Sequence, residues 1–190
     1  MSPRLLALIP LGVGINIALG KLVSATQLPL FLDTTGTALI ACLVGLVPAL
    51  IAAVVSQCVM AVIDTPIWLA FLPVHLAIAA YAALAARRGW FSSAGRAVVA
   101  GLGLGVVGAL CSWPISYFMF GGVTTGGAAV VTTLLTGFGI PRGIAVLISA
   151  LVNDLLDKSV IFLLIHTTLI GLPRRMAARY PDAMRAIGRA

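Results

Sequence analysis

The fold of this chain is decided by the stretch LVNDLLDKSVIFLLIH, residues Leu151 to His166. It lies inside an apolar segment that runs from Gly143 to Leu172. Its polar and charged residues are Asn153, Asp154, Asp157 and Lys158. A charge on a helix that faces hydrocarbon costs about 2.5–3.5 kcal/mol. We therefore expect these side chains to face the interior of a bundle, to be paired, or to serve a function.

The order of the charges predicts one ion pair within this helix. Asp154 precedes Lys158 by four residues, which is the favourable order for a helical pair. Asp157 projects about 100° away from its neighbour Lys158, so we expect it to need a partner from another segment. Two interpretations stay open: the cluster only holds helices together, or it takes part in binding or coupling.

The composition places this stretch in a membrane protein. Hydrophobic residues make up 61% of the 190 residues and charged residues only 9%, whereas soluble domains are about 25% charged. The mean hydropathy is +1.16. We predict an all-α, multi-pass protein of a prokaryotic cell membrane, with one integral membrane domain over residues 1–190 in contact with lipid. The net charge of +7 does not indicate a nucleic-acid partner, because the arginines lie between and after apolar segments.

The apolar segments predict six transmembrane spans in a compact bundle. We expect them at residues 4–20, 33–46, 48–63, 69–86, 97–120 and 142–172. The uncharged run from Thr34 to Ile63 would form one helix of about 45 Å, so a break is expected between Gly45 and Pro48. The segment 128–138 is too short to cross a membrane and is expected to be re-entrant or to lie across the bundle mouth.

The basic residues predict the orientation of the bundle. Six spans put both termini on one side, and nine of the 12 basic residues fall there. They are Arg4, Arg87, Arg88, Arg96, Arg174, Arg175, Arg179, Arg185 and Arg189. Only Lys21 and Arg142 fall on the opposite side. The positive-inside rule then places both termini, including a basic tail at 173–190, in the cytoplasm.

The predicted outer face contains the candidate substrate-binding residues. They are Asp33, Trp68, Trp113, Tyr117 and Arg142. Aromatic and charged side chains in apolar surroundings are typical of a small-molecule pocket, where apolar walls supply affinity and a few polar groups fix orientation. The alternative is that the aromatic residues form an interfacial belt and that Asp33 caps a helix.

The sequence contains no recognisable catalytic or nucleotide-binding motif. We find no P-loop, GxSxG elbow or HExxH pattern. His75 and His166 are isolated and are expected to be packed or interfacial side chains, and Cys42, Cys58 and Cys111 have no paired spacing. We expect no enzyme activity, no metal and no cofactor, so any ATP-driven process needs another subunit.

Two runs of residues resemble a known family. Residues Asn16 to Gln57 contain N-I-A-x-G, then L-P-x-x-L-D-T-x-G-T, then an apolar hairpin broken at G-x-x-P. Residues Asn153 to Pro181 contain D-x-x-D-K, L-P-x-R and R-(F/Y)-P, and a GGVTTGG loop precedes them. The first run resembles the opening of substrate-binding S components of energy-coupling factor (ECF) vitamin transporters, and the second resembles the ending of one branch of that family.

The resemblance implies a six-helix bundle that captures a vitamin-like small molecule at its extracellular end. It implies a transmembrane coupling subunit and two ATPase subunits as partners. By position, Asp33, Trp113, Tyr117 and Arg142 correspond to the family's pocket. Gly14-x-x-x-Ala18 corresponds to the helix surface that meets the coupling subunit; as a small-xxx-small pair it also allows close helix packing.

Two other functions are consistent with the same residues. A small proton-coupled secondary transporter would use Asp154, Asp157 and Lys158 as a proton relay. A membrane sensor module would detect a small molecule without transporting it. The transporter predicts uptake by the chain alone, whereas the S component predicts binding by the chain alone and uptake only with its partners.

Overall fold

The chain folds into a bundle of helices in the computed structural model, which describes residues 7–26, 28–122, 126–177 and 179–189. These residues contain no β-strand. The α-helices are α1 (Leu8–Thr26), α2 (Thr35–Leu43), α3 (Leu46–Ile63), α4 (Leu72–Arg87), α5 (Ala94–Pro114), α6 (Gly126–Gly137), α7 (Arg142–Gly171), α8 (Arg174–Ala177) and α9 (Pro181–Ala186). A 3-10 helix, Pro66–Phe71, precedes α4, and a π-helical turn, Ile115–Met119, extends α5.

Within the residues that the structure describes, four helical segments are long and apolar enough to cross a membrane. They are Leu8–Thr26, Leu46–Ile63, Pro66–Arg87 and Ala94–Met119. The 30-residue helix α7 is longer, about 45 Å, but every stretch of 18 residues within it contains Asp154, Asp157 and Lys158. The described helices are those expected of an all-α membrane protein.

The helix bounds differ from the predicted spans mainly in the first third of the chain. The first helix does not end at Gly20 but continues to Thr26, because residues 21–26 contain neither glycine nor proline. Residues 4–6 of the first predicted span lie outside the described part. The second helix, α2, has only nine residues, fewer than the predicted 33–46. The break before Pro48 occurs at Gly45, whose φ of 101° favours glycine.

The described part of the predicted tail, residues 173–177 and 179–189, is structured and partly buried. Helix α9 packs against α2 and α4, and Ala183, Ala186 and Ile187 on it or just after it are buried. The N–H of Phe91 donates to the carbonyl of Ala186 at 3.0 Å. Apolar residues in this short helix cover the end of the bundle, whereas the arginines of the segment had predicted only a basic tail.

Glycines allow the closest helix contacts. A Cβ atom at Gly101 would lie 2.7 Å from the carbonyl oxygen of Lys158, and one at Gly105 would lie 2.7 Å from the Cα of Leu155. Helix α5 therefore runs against the backbone of α7 in the antiparallel direction. Similarly, a Cβ at Gly36 of α2 would lie 2.0 Å from the carbonyl oxygen of Gly12 of α1. This contact uses Gly12, whereas Gly14 faces outward.

The bundle has two ends that differ in charge. At the Arg142 end, α7 begins, α1, α3 and α5 finish, and the described basic residues are Lys21 and Arg142. At the arginine-rich end, α4 and α7 finish and α9 packs across the bundle. Arginines described at or beside this end are Arg87, Arg88, Arg96, Arg179, Arg185 and Arg189.

Candidate functional site

The residues before α2 enter the middle of the bundle. Residues 28–34 are not helical, and they reach α7 near Asp157 and Lys158, close to the midpoint of that 30-residue helix. Seven side chains at this point and at the adjoining start of α2 form what we call the central polar cluster. They are Asn16, Asp33, Thr34, His75, Asp154, Asp157 and Lys158.

Asp157 holds the entering segment in place. Its Oδ1 accepts the backbone N–H groups of Phe31 at 2.9 Å and Leu32 at 2.7 Å. Leu32 has a φ of 51°, a left-handed conformation that is rare for a leucine. Backbone groups outside a helix need such partners when water is excluded. The partner from another segment that was predicted for Asp157 is thus the backbone of residues 31 and 32. Within its own helix, Asp157 also pairs with the adjacent Lys158 at 2.5 Å.

Lys158 is the cationic centre of the cluster. Only 2% of the residue is exposed. Its Nζ lies 2.5 Å from the Asp157 carboxylate, 3.6 Å from the Asp154 carboxylate and 3.5 Å from the Thr34 hydroxyl. The Asp154–Lys158 pair has the predicted spacing. The Ser112 hydroxyl on α5 lies 3.4 Å from Asp154, so this carboxylate also connects α7 to α5.

Asn16 of α1 accepts hydrogen bonds from backbone N–H groups at the beginning of α2. Its Oδ1 accepts the N–H groups of Gly36 at 2.7 Å and Thr37 at 3.2 Å, and its Nδ2 donates to the hydroxyls of Thr37 and Ser56. The first N–H groups of any helix lack partners within that helix. Here a side chain from another helix supplies the acceptor. A polar residue in the apolar α1 segment was the available signal, but Asn16 was predicted only as part of the N-I-A-x-G pattern and not as an acceptor for another helix.

Asp33 lies opposite a histidine. The Nε2 of His75 is 3.6 Å from the Asp33 carboxylate, and both side chains are largely buried. His75 was expected to be isolated and either packed or interfacial; it is packed, with only 6% exposed, but it is not isolated, because it lies beside Asp33. His166 is packed, with its Nδ1 2.8 Å from the carbonyl oxygen of Phe91.

Three of the candidate substrate-binding residues meet where α7 begins. The rings of Trp113 and Tyr117 stack with their centroids 6.1 Å apart and 11° between their planes. The Trp113 Nε1 donates to the carbonyl of Gly143 at 2.9 Å, immediately after Arg142. The π-helical turn Ile115–Met119 carries Tyr117. These contacts position the aromatic pair beside the first turn of α7.

An open cleft of about 490 Å³ lies beside this first turn. Threonines of α6 line one wall, and Arg142 lines the other. Asn153, a member of the predicted charge cluster, instead faces the α6–α7 contact: its Nδ2 donates to the carbonyl of Ser149, whose hydroxyl donates to the carbonyl of Ala128. Of the five candidate substrate-binding residues, Arg142 alone lines this cleft.

Trp68 lies apart from the other candidates. Its Nε1 donates to the Asp64 carboxylate at 2.9 Å, and the Lys21 ammonium lies 3.0 Å from the same carboxylate. The hydrogen bond with Lys21, followed by that with Trp68, holds the pKa of Asp64 below its ordinary value. This group is a surface contact between α1 and the residues that follow α3.

Gly14 and Ala18 lie on an exposed face of α1. Leu11 and Leu22 are exposed on the same helix, at 58% and 63%. A Cβ atom at Gly14 would have no atom within 4 Å. This face of α1 is apolar and has small side chains in its middle. No other described part of the chain packs against it.

Several buried polar atoms in the described residues have no hydrogen-bond partner. They are the amide O and N of Gln57, Nδ1 of His75, Oγ1 of Thr132, Oδ1 of Asn153 and Oγ of Ser159. Such atoms are few in folded proteins and mark places where another polar group is accommodated. The described residues contain no group of three or more His, Cys, Asp or Glu side chains placed to hold a metal ion.

Known proteins do not extend this description. No protein-family model matches the chain, and comparisons with curated proteins and with solved structures give no match.

Proposed function

We propose that the chain is a multi-pass protein with six membrane crossings and both termini in the cytoplasm of a prokaryotic cell. The arginine-rich end would face the cytoplasm by the positive-inside rule. The crossings would be α1, residues 28–43, α3, α4 with its 3-10 helix, α5 and α7. Residues 28–34 and the nine-residue α2 reach at most about 36 Å together, enough for a hydrocarbon core of about 30 Å.

We further propose that it is a substrate-binding S component of an ECF-type importer. One observation carries this proposal: the sequence patterns that resemble the family contact one another. The asparagine of N-I-A-x-G, Asn16, binds the backbone of the G-T pair at Gly36 and Thr37. The D-x-x-D-K pattern contributes Asp157 and Lys158, which bind the L-P-x-x-L-D-T segment at Leu32 and Thr34.

This convergence supports a functional unit because the patterns lie far apart in the sequence. Asp157 and Leu32 are 125 residues apart, and Asn16 and Gly36 are 20 apart. If the resemblance to the family came only from hydrophobic composition, the polar residues of these patterns would have no reason to bond to each other. The cluster would set the position of residues 28–34, which lead from the Arg142 end into the bundle.

In this proposal a vitamin-like molecule binds at the Arg142 end. Trp113 and Tyr117 would supply an aromatic wall, Arg142 a polar contact, and Asp33 a group at the inner limit of the site. Trp68 would contribute to the site through the surface contact that it forms with Asp64 and Lys21. The chain itself would be a receptor and not an enzyme, and it would need no cofactor.

The partners in this proposal are a transmembrane coupling subunit and two ATPase subunits. The chain contains no P-loop, so ATP would be hydrolysed elsewhere. The exposed face of α1 around Gly14 and Ala18 is the proposed contact with the coupling subunit, because small residues allow close approach of helices. Lipid would cover the remaining apolar surface.

The test is native mass spectrometry of the protein purified from its own host. A copurified small molecule is expected, together with ATP-dependent uptake of that molecule in cells that contain the energising subunits. The variant Gly14→Leu should keep the bound molecule and lose uptake. Gly95→Leu, at another exposed helical glycine with open space around it, should keep both. No bound molecule and no uptake with any energising subunits would contradict the proposal.

A second candidate is a proton-coupled secondary transporter. The observation that favours it is the Asp33–His75 pair at 3.6 Å beside Asp157 and Lys158, since it extends the line of titratable groups across the bundle. The chain alone in liposomes would then take up the molecule and stop when the proton gradient is collapsed. The S component predicts no uptake in that experiment.

A further inference from the structure

The chain has few carboxylates, and each of them lies beside a basic side chain. Its acidic residues number five, and all are aspartates. The pairs are Asp33 with His75, Asp64 with Lys21, Asp154 and Asp157 with Lys158, and Asp182 with Arg185. Among the residues that the structure describes, Arg142 has no carboxylate partner. It is therefore the uncompensated positive charge at its end of the bundle.

Arg142 lines the cleft against a wall of threonines from α6. The hydroxyls of Thr133 and Thr136 donate to carbonyl groups of their own helix, at 2.8 Å to Ala129 and 3.0 Å to Thr132. Thr132 differs, because only 6% of it is exposed and its Oγ1 has no hydrogen-bond partner in the described part of the chain. A buried hydroxyl without a partner is costly unless another group binds it.

The same cleft lies at the beginning of the longest helix. Arg142 is the first residue of α7. The N–H groups of Ile144 and Ala145 donate to the carbonyl of Pro141, which leaves those of Arg142 and Gly143 without an acceptor in the helix. The partial positive charge of a helix N-terminus adds to that of the guanidinium. Positive charge from two sources and a free hydroxyl together are suited to a negatively charged group.

We propose that this cleft is an anion subsite that takes the carboxylate or phosphate group of a small water-soluble molecule. The guanidinium of Arg142 is the charge partner, and the Thr132 hydroxyl donates a hydrogen bond to the anion. The inference deepens the proposed function and rests on it, because it assigns the captured substrate to the class of small organic anions. A planar guanidinium binds both carboxylate and phosphate oxygens in pairs.

The first experiment measures anion binding by the full chain in a neutral maltoside detergent. Thermal unfolding is followed with citrate or inorganic phosphate, and with chloride at the same ionic strength. We expect citrate or phosphate to raise the melting temperature of the wild type. Arg142→Gln should weaken the apparent affinity about tenfold or more, the usual effect of losing a charged hydrogen bond.

The matched control is Arg96→Gln. Arg96 is also an exposed arginine in the first turn of a long helix, α5, but at the other end of the bundle. It should leave the response to anions unchanged. If Arg96→Gln reduces the response as much as Arg142→Gln does, or if neither does, the subsite is overturned.

The variant Thr132→Val tests whether the Thr132 hydroxyl binds the anion or only stabilises the fold. Because the Thr132 hydroxyl has no partner within the described residues, its removal should maintain or raise the melting temperature without anion. It should also reduce anion affinity severalfold. Thr167→Val, which removes a hydroxyl bonded to its own helix near the other end of the bundle, should leave anion affinity unchanged. Unchanged affinity in Thr132→Val would overturn the role of that hydroxyl.

A lipid phosphate is the other source of the same chemistry. In nanodiscs of phosphatidylcholine, citrate or phosphate should still stabilise the wild type and not Arg142→Gln. Stabilisation that requires phosphatidylglycerol and ignores soluble anions would overturn the assignment to a substrate.

These experiments distinguish failure of the anion subsite from failure of the proposed importer function. A neutral copurified molecule that binds Arg142→Gln as well as the wild type would overturn the subsite and leave the receptor function intact. Arg142-dependent anion binding without uptake would support the subsite and remove the importer function.

Discussion

The carboxylate of Asp157 accepts the backbone N–H of Leu32 at 2.7 Å, although the two residues are 125 positions apart in the sequence. The bond joins the middle of the longest helix to a non-helical segment inside the bundle. Leu32 has a positive φ, so the local backbone conformation is held by its surroundings and not by its own preference. The stability of this segment should depend on one carboxylate.

Asp157→Ala should destabilise the protein more than Asp154→Ala. Loss of Asp157 leaves two backbone N–H groups without acceptors and removes the nearest carboxylate from Lys158. Breaking a buried ion pair from one side costs about 3–5 kcal/mol. Asp154→Ala leaves Asp157 in place and should cost less. Unfolding in mixed micelles, followed by tryptophan fluorescence, measures both. Equal losses would show that the contacts with residues 31 and 32 contribute nothing.

Lys158→Met should also destabilise the bundle strongly, because Asp154 and Asp157 are then left without their common cation. Adding Asp157→Asn to Lys158→Met should restore part of the loss, since the amide oxygen still accepts the N–H groups of residues 31 and 32. A double-mutant cycle measures this coupling, which for contacting residues is about 0.5–3 kcal/mol. Strictly additive effects would mean that the two side chains do not interact.

Gly36→Ala should prevent correct packing of α1 on α2, because the new Cβ would lie 2.0 Å from a backbone carbonyl oxygen. Gly14→Ala is the matched control on the exposed face of α1, where a Cβ meets no atom within 4 Å. It should retain or slightly raise stability, since alanine favours helix more than glycine. The yield of monodisperse protein and the melting temperature in detergent test the pair. A well-folded Gly36→Ala protein would contradict this helix contact.

Asp64 should make a small contribution to stability that depends on pH. Its pKa in the folded protein lies below the ordinary value of 3.8, because of Lys21 and Trp68. A carboxyl with a lowered folded pKa stabilises above the unfolded pKa, and the contribution is lost as pH falls through the folded value. Asp64→Asn should thus be slightly less stable than the wild type at pH 7, and the difference should disappear once the pH falls below the folded pKa of Asp64.

The effect is small because both partners are exposed, Lys21 by 44% and Asp64 by 39%. High salt should remove it. Lys21→Met should give the same loss at pH 7, and the double variant should lose no more than either single one. Melting temperatures over this pH range provide the measurement, and a difference that persists at acidic pH would contradict the ion pair.

The helices were largely predictable because they depend on local composition. Apolar runs separated by glycine, proline and arginine predicted helices close to α3, α4, α5 and α7, and the break before Pro48 fell at Gly45. The spacing of Asp154 and Lys158 predicted their pair. These features follow from the period of one helix and the cost of charge in an apolar segment.

The central polar cluster was only partly predictable. Asp33 was a candidate for the outer face, and its partner His75 was expected to be isolated. Asn16 was not identified as a ligand of the α2 backbone. These contacts join residues that are distant in the sequence, so no local pattern contains the information about which partner each polar group has.

By itself, the sequence determined that the chain is helical, apolar and asymmetric in charge, because these properties are sums over neighbouring residues. Only the tertiary structure decided that residues 28–34 enter the bundle, that Asp157 binds their backbone, and that Arg142 has no carboxylate partner within the described residues. The physical reason is that buried polar groups must find partners wherever the packed helices bring them. That choice depends on the whole arrangement of the bundle.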